Sequence, residues 1–410
     1  MFDPKKIKKD FPILNQLVNG LPLCYLDNAA TSQKPQVVIE AISSYYLHDN
    51  ANVHRGIHYL SDQASQAWDQ ARLTVANFFG CLPEELIVTR NATEAINGVA
   101  YGWALDHLKA GDVILTTLME HHANIVPWQE MCHRIGAKLE FIKVTDQGTL
   151  DISDLESKLK NDRIKLVTLV HVSNTLGTVN PVEQIVKLVK KQKSQIKILI
   201  DGAQSAPHLK IDFNKLDVDF FVFSGHKMLA PMGVGALLVK KELLENQEMK
   251  PWLFGGGMID SVTPQKTEFN QDLSERFTAG TPDVASLVGL ASACNYLNVL
   301  GMDNVQKHDQ ELVEYALKRL AKLSEVEVVG PKTNRLGSVA FIYQGVHAHD
   351  VAQILDSVGV AVRSGHHCCM PLHLQFGWQA TVRASFQVYS TQEDIDQLIV
   401  GLNKVKKVFS

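Results

Sequence analysis

The chain has 410 residues, enough for two to three domains of about 150 residues each, with two as the first expectation. Its 45% hydrophobic and 20% charged residues are ordinary globular proportions, and 26 Gly with 14 Pro exclude collagen and Pro/Gly-rich disorder. Forty Lys and Arg against 44 Asp and Glu leave a net charge of -4, so no basic surplus invites nucleic acid or an anionic membrane.

The six cysteines, Cys24, Cys81, Cys132, Cys294, Cys368 and Cys369, are too sparse for a disulfide framework, and no pair has the C-x-x-C spacing of structural zinc. The opening residues Met1–Lys6 lack the apolar core of a signal peptide. Two stretches without charge, 284–302 and 364–382, are broken by Ser and Asn or by three His and a Pro, so neither reads as a membrane span. A soluble, cytoplasmic protein is expected.

In chain order, seven short apolar runs fall between residues 86 and 240: Leu86–Val88, Val113–Thr117, Leu139–Val144, Leu166–Val172, Ile196–Ile200, Phe220–Phe223 and Ala236–Val239. They are too short for helices and read as buried strands alternating with amphipathic helices such as 182–191. That alternation predicts an α/β fold with a mostly parallel seven-stranded sheet covered on both faces. After residue 284 come a buried helix (284–300) and an amphipathic one (305–323). Further runs follow at 326–329, 339–343, 360–362 and 382–386, with helices near 349–357 and 391–408. Ser390 and Glu393 read as the capping box of the last helix. This second texture predicts a smaller α+β domain.

Polar residues cluster where these strands end, the usual ligand edge of an open α/β sheet. The run 196–200 leads into Asp201-Gly202-Ala203-Gln204, and 220–223 leads into Ser224-Gly225-His226-Lys227. Adjacent strand ends can hold an acid and an amine around one ligand, the pair a pyridoxal phosphate (PLP) site requires. Thr93 opens a helix whose free amides can receive phosphate, and Ser224 and His226 flank Lys227 and can contact the same phosphate. His121, after 113–117, offers a ring that can stack on a flat cofactor, and Asn174 offers an amide. A second cluster, Arg363-Ser364-Gly365-His366-His367-Cys368-Cys369-Met370-Pro371, sets a thiol among imidazoles, with Arg383 further on. Flanking imidazolium ions would depress a thiol pKa, and a guanidinium offers a fork for a carboxylate. A zinc module competes with this reading, although adjacent His and Cys converge poorly on one ion. So does a catalytically dead scaffold. In an extended segment Cys368 and Cys369 would point to opposite sides, which favours one of them as nucleophile.

These motifs, together with Tyr25–Thr31, His54–His58 and Ala279–Pro282, resemble SufS-type (group II) cysteine desulfurases, the branch that also contains selenocysteine lyases. The resemblance runs almost end to end. It implies a PLP-dependent homodimer of fold type I, with residues 1–20 packing near the small domain, 21–295 as the large PLP-binding domain and 296–410 as the small domain carrying the Cys loop. It implies that Lys227 carries the cofactor, Asp201 and Gln204 contact its ring, and His121 stacks on it. Thr93, Ser224 and His226 would hold its phosphate, joined by Thr281 from the other subunit. Asn174 and Arg383 would grip the carboxylate of L-cysteine (or L-selenocysteine), Cys368 would take the sulfur, and Arg363 and His54 would lie near the site's mouth. A SufE- or SufU-like acceptor serving iron–sulfur assembly is implied as well. A same-fold aminotransferase or kynureninase-like hydrolase, in which Cys368 is idle, is the rival chemistry. Three departures from the family pattern stand out. Ala92 replaces a hydroxyl residue, the Gly255–Met258 loop is one residue short, and Cys369 fills a position usually small, such as Ala.

Overall fold

The computed structural model describes residues 2–54 and 56–409. Seven strands form the central sheet: β1 (Leu86–Thr89), β2 (Val113–Thr117), β3 (Lys138–Ile142), β4 (Ile164–Val170), β5 (Lys197–Asp201), β6 (Phe220–Ser224) and β7 (Gly235–Val239), in the order β1-β7-β6-β5-β4-β2-β3. The two pairs that β7 makes are antiparallel and every other pair in the sheet is parallel. The sheet is mostly parallel, as its apolar runs predict: β2, β5, β6 and β7 carry almost no exposed side chain because helices cover both faces. On one face Phe79 stacks on Phe223 with ring centroids 4.2 Å apart.

The buried helix spans Val284–Leu300 and packs on the helix Tyr59–Phe79. Gly301, at φ +79°, turns the chain by 77° into the amphipathic helix Met302–Leu320. A four-stranded sheet follows, built from β8 (Val326–Val329), β9 (Ser338–Tyr343), β10 (Arg363–Gly365) and β11 (Thr381–Ser385) in the order β8-β9-β11-β10. Helices Ala348–Asp356 and Gln392–Phe409 pack beside it.

Three local readings change. The last helix is capped by Thr391 and Asp394, not by Ser390 and Glu393. The Asp394 amide donates to Thr391 Oγ1 (3.3 Å) while Asp394 Oδ2 accepts from the Thr391 amide (2.8 Å); Ser390 Oγ instead accepts from the Gln387 amide. The run near 360 splits, since Val360–Ala361 pairs parallel with a short strand, Cys24–Tyr25, before β10 begins. That pairing carries Cys24 and Leu26 into an apolar cluster with residues from 312 to 405. A hairpin, Ile259–Val262 with Thr267–Phe269, carried no apolar signal because its residues are mostly exposed.

One glycine shows how tightly the sheet packs beneath the ligand edge. A Cβ on Gly202, next to Asp201, would sit 2.0 Å from Phe221 Cζ. Gly202→Ala should therefore displace a buried ring and destabilise the protein by about 1–3 kcal/mol, read as a lower urea midpoint with unchanged m value. An unchanged midpoint would mean that the ring has room to move.

Candidate active site

The carboxyl ends of β1, β2, β4, β5 and β6 converge on a cavity of about 640 Å³, lined on the opposite side by Arg363, Ser364, His367, Cys368 and Arg383. Lys227 stands among its lining residues. It lies in a single helical turn after β6, and burial lowers its amine to about 8 despite the neighbouring Asp201. Asp201 ends β5; burial raises its carboxyl pKa, while the Ala203 amide (2.9 Å to Oδ1) and Lys227 oppose that rise. A cation set against Asp201 would favour its charged form further.

His121 follows β2. Its Nδ1 accepts from the Ala123 amide at 3.0 Å, which leaves the ring proton on Nε2, and burial pulls its pKa down to about 3. Thr93 lies in the first turn of helix Ala92–Val99, capped by Asn91, and the Ala92 amide donates to Ser224 Oγ at 2.9 Å. Thr93, Ser224 and His226 thus share one end of the cavity, with Ala92 among them as the position that lacks a hydroxyl. Gln204 is held by donation from Nε2 to the Ala29 carbonyl (2.7 Å).

The opposite wall is a network of charge. Arg363 makes a bidentate pair with Asp27 (Nη2 to Oδ2 2.8 Å, Nε to Oδ1 3.1 Å), and Arg383 Nη2 lies 3.5 Å from Asp27 Oδ1. Arg383 is buried, which lowers its pKa to about 10, and it donates from Nη1 to the Asn174 carbonyl (2.7 Å). Asn174 Nδ2 in turn holds the His367 carbonyl at 2.7 Å.

The thiol loop departs from an extended segment. His367 and Cys368 both adopt left-handed backbone, with φ of 52° and 55°, a conformation that costs on the order of 1–3 kcal/mol per residue. Contacts across the cavity hold it: the His122 amide donates to the Cys368 carbonyl (2.7 Å), and His122 Nε2 accepts from the Met370 amide (3.0 Å). The outcome for the two thiols is unequal burial. Cys368 is exposed and lines the cavity, whereas Cys369 is sealed, donates to the Met119 and Glu120 carbonyls, and is pushed up to about 12 by burial. His367 does not supply the expected imidazolium, because burial first and Arg383 next push it down to about 2. The cations that face Cys368 are Lys227, Arg363 and Arg383.

Two expected residues do not reach this cavity within one chain. His54 and Thr281 line a smaller hollow of about 300 Å³ beside Gly256, Gly257 and Glu275, where His54 Nε2 lies 3.4 Å from Glu275 Oε1. Arg55, beside His54 in the same motif, lies outside the described residues. Asp27 and His122 are the residues that sequence reasoning missed. Asp27 lies inside the run Tyr25–Thr31 and His122 directly follows His121, but their roles come from contacts across more than 240 positions of chain, which no local pattern reveals.

A family model for class-V aminotransferases matches residues 24–398. The chain belongs to that family. It is 45% identical to a cysteine desulfurase of Haloferax volcanii, over the whole of this chain and 98% of that one. Among solved structures, a cysteine desulfurase from Thermococcus onnurineus superposes with a TM-score of 0.93 at 39% identity, covering 99% of both chains. The Escherichia coli cysteine desulfurase CsdA, in an S-sulfonic acid form, gives 0.90 at 32%, covering all of this chain and 99% of that one. With such relatives along its full length, the chain is a class-V PLP enzyme of the cysteine desulfurase group.

The residues present fit the cofactor. Lys227 offers a buried amine at about 8, Asp201 an acid at the adjacent strand end, and Thr93, Ser224 and His226 a polar end at a helix start. Elsewhere in the lining, Asn174 Oδ1 and Arg383 Nε are buried with no hydrogen-bond partner among the described residues, as expected of groups that await a ligand. Because the free amine is the reactive form, uptake of PLP by the cofactor-free protein should speed up as pH rises through about 8. Stopped-flow absorbance checks this, and a midpoint near the ordinary 10.5 of a solvated lysine would contradict the burial argument.

Proposed function

We propose that this protein is a cysteine desulfurase that converts L-cysteine to L-alanine and retains the sulfur as a persulfide on Cys368. One observation carries the reading: an exposed thiol stands at the mouth of the cavity that holds the buried Lys227 and Asp201. An aminotransferase that left Cys368 idle would have no use for a strained loop that presents it there. The group's names support the same assignment.

In this reading Arg383 and the Asn174 amide bind the substrate carboxylate with their unpartnered atoms, and Arg363 stands at the mouth. Bound PLP supplies an electron sink for the carbon skeleton. Lys227, neutral above about 8, removes the Cα proton and holds it at Nζ. His121 stacks on the ring and keeps its own proton at Nε2. The Cys368 thiolate attacks the substrate sulfur; the S–S bond forms, the Cβ–S bond breaks, and its electron pair stays with carbon. Protons returned to the carbon skeleton complete alanine, so one thiol and one cysteine become one persulfide and one alanine. No external oxidant is required.

We further place Thr281 and His54 at the site of a second copy of this chain, since they line a separate hollow here. A cytoplasmic homodimer then passes sulfur to a SufE- or SufU-like acceptor for iron–sulfur assembly. The division into an N-terminal segment, a large PLP-binding domain and a small domain from residue 296 belongs to the same reading, with Cys24 and Leu26 packing on the small domain.

Purified protein given L-cysteine and a reductant should release alanine and sulfide in equal amounts. Cys368→Ser should lose sulfide release by at least about a hundredfold and keep the cofactor's absorbance, while Cys369→Ser stays within about twofold. Mass spectrometry that located the added sulfur on Cys369 would overturn the assignment.

Mixed dimers test the shared site. If Thr281 acts across the interface, a Lys227→Ala subunit paired with Thr281→Ala places both defects in one site and leaves the other intact. About half the activity per dimer should return. Confirmed mixed dimers that stay inactive would exclude it.

A further inference from the structure

The two guanidiniums of the substrate wall share one acid, and they share it unequally. Asp27 gives Arg363 two close contacts, at 2.8 Å and 3.1 Å, but leaves Arg383 at 3.5 Å. Arg363 is half exposed, whereas Arg383 is almost sealed, with its Nε unpartnered. Asp27 itself stands behind the two arginines and is absent from the cavity lining. Two cations and one acid leave a single net positive charge, located on the arginine that the acid holds more loosely.

We propose that Asp27 is a positioning residue that sets the affinity of the carboxylate subsite. It holds Arg363 against the wall and partly neutralises Arg383, so an incoming α-carboxylate must compete with a carboxylate already present. The inference rests on the reading of Arg383 as the carboxylate binder. Competition of this kind weakens substrate and product alike, because both carry the same carboxylate, and such uniform binding acts on KM and on product release. Arg383 keeps its place without Asp27, since it sits within β11 and donates to the Asn174 carbonyl. Removing the acid's charge therefore leaves a fixed, less compensated cation facing the substrate. The favoured ligand is an α-amino acid with one carboxylate.

The holoenzyme tests this with Asp27→Asn, which keeps the shape and removes the charge, and Asp27→Glu, which keeps the charge. For Asp27→Asn, the KM for L-cysteine and the dissociation constant of L-alanine, read from the cofactor's absorbance, should both fall about fivefold. The value of kcat should fall by no more than the same factor. Its melting temperature should drop without ligand and recover with saturating L-alanine by more than the wild type gains. Asp27→Glu should stay close to wild type in all three. If Asp27→Asn instead weakens L-alanine and raises KM, Asp27 is only a structural support and the proposal fails. An unchanged affinity also overturns it. Arg383→Gln separates this failure from failure of the subsite: if that variant binds L-alanine as well as the wild type, Arg383 is not the carboxylate binder, whatever Asp27→Asn does.

Discussion

The Lys227 amine is enclosed by the protein around it, and an enclosed amine either sheds its proton or finds an acid; here desolvation outweighs the single carboxylate of Asp201 and the amine falls to about 8. That balance depends on the turn after β6 holding its place. The His226 carbonyl accepts from the Ser32 amide (3.0 Å), Thr31 Oγ1 (3.1 Å), Ser32 Oγ (3.1 Å) and Lys34 Nζ (2.9 Å). Ser32 Oγ then accepts from the Leu229 amide (2.9 Å), where the backbone is left-handed at φ 69°. The lysine is positioned by a segment almost two hundred residues away, and its low pKa follows from that enclosure.

The same segment ties the lysine to the far end of the chain. Asp27 bridges to Ser385, the Ala29 amide donates to Ser385 Oγ (2.8 Å), and Asn28 Nδ2 donates to the Ser385 carbonyl (2.6 Å). Residues 27–32 thus span from β11, which carries Arg383, to the turn that carries Lys227. A displacement of the C-terminal sheet would move the Arg383 guanidinium and the Lys227 amine together. Reacting groups held in fixed relation by buried hydrogen bonds lose little entropy on reaching a productive geometry.

How much of this the sequence reveals depends on the range of each interaction. The seven strands announce themselves because burial on both faces demands apolar runs, and Asp201 and Lys227 stand at their ends because strand ends are where backbone irregularity and ligands meet. The capping residue of the last helix was misplaced by one because Ser390-Thr391 offers two hydroxyls, and only the contact with Asp394 decides between them. The strand Cys24–Tyr25 has two residues, too few for any periodicity. Asp27 and His122 act through contacts with residues 363–383, so their signal is tertiary alone. The imidazolium expected beside the thiol failed for a physical reason: proximity in sequence suggested mutual charging, but burial decides protonation.

The pair Cys368-Cys369 shows how backbone, not alternation, separates two identical side chains. Two consecutive left-handed residues turn the chain so that the Cys369 amide donates to the His366 carbonyl (2.8 Å), and helix Met370–Phe376 begins at once. Cys369 is then drawn inward, its thiol facing the carbonyls of Met119 and Glu120. Those carbonyls belong to the turn that carries His121, and Glu120 anchors that turn by accepting from Thr117 Oγ1 (2.5 Å), Asn124 Nδ2 (2.6 Å) and the Val170 amide (3.0 Å). A thiol serves there because it is a small, largely apolar group with a weak donor suited to two close carbonyls. The buried cysteine fastens the loop to the turn that carries His121, and the same turn that buries it leaves Cys368 facing the cavity. Strain at two residues is thereby offset by contacts at their neighbours, and the exposed Cys368 thiol itself needs few bonds to stay in place.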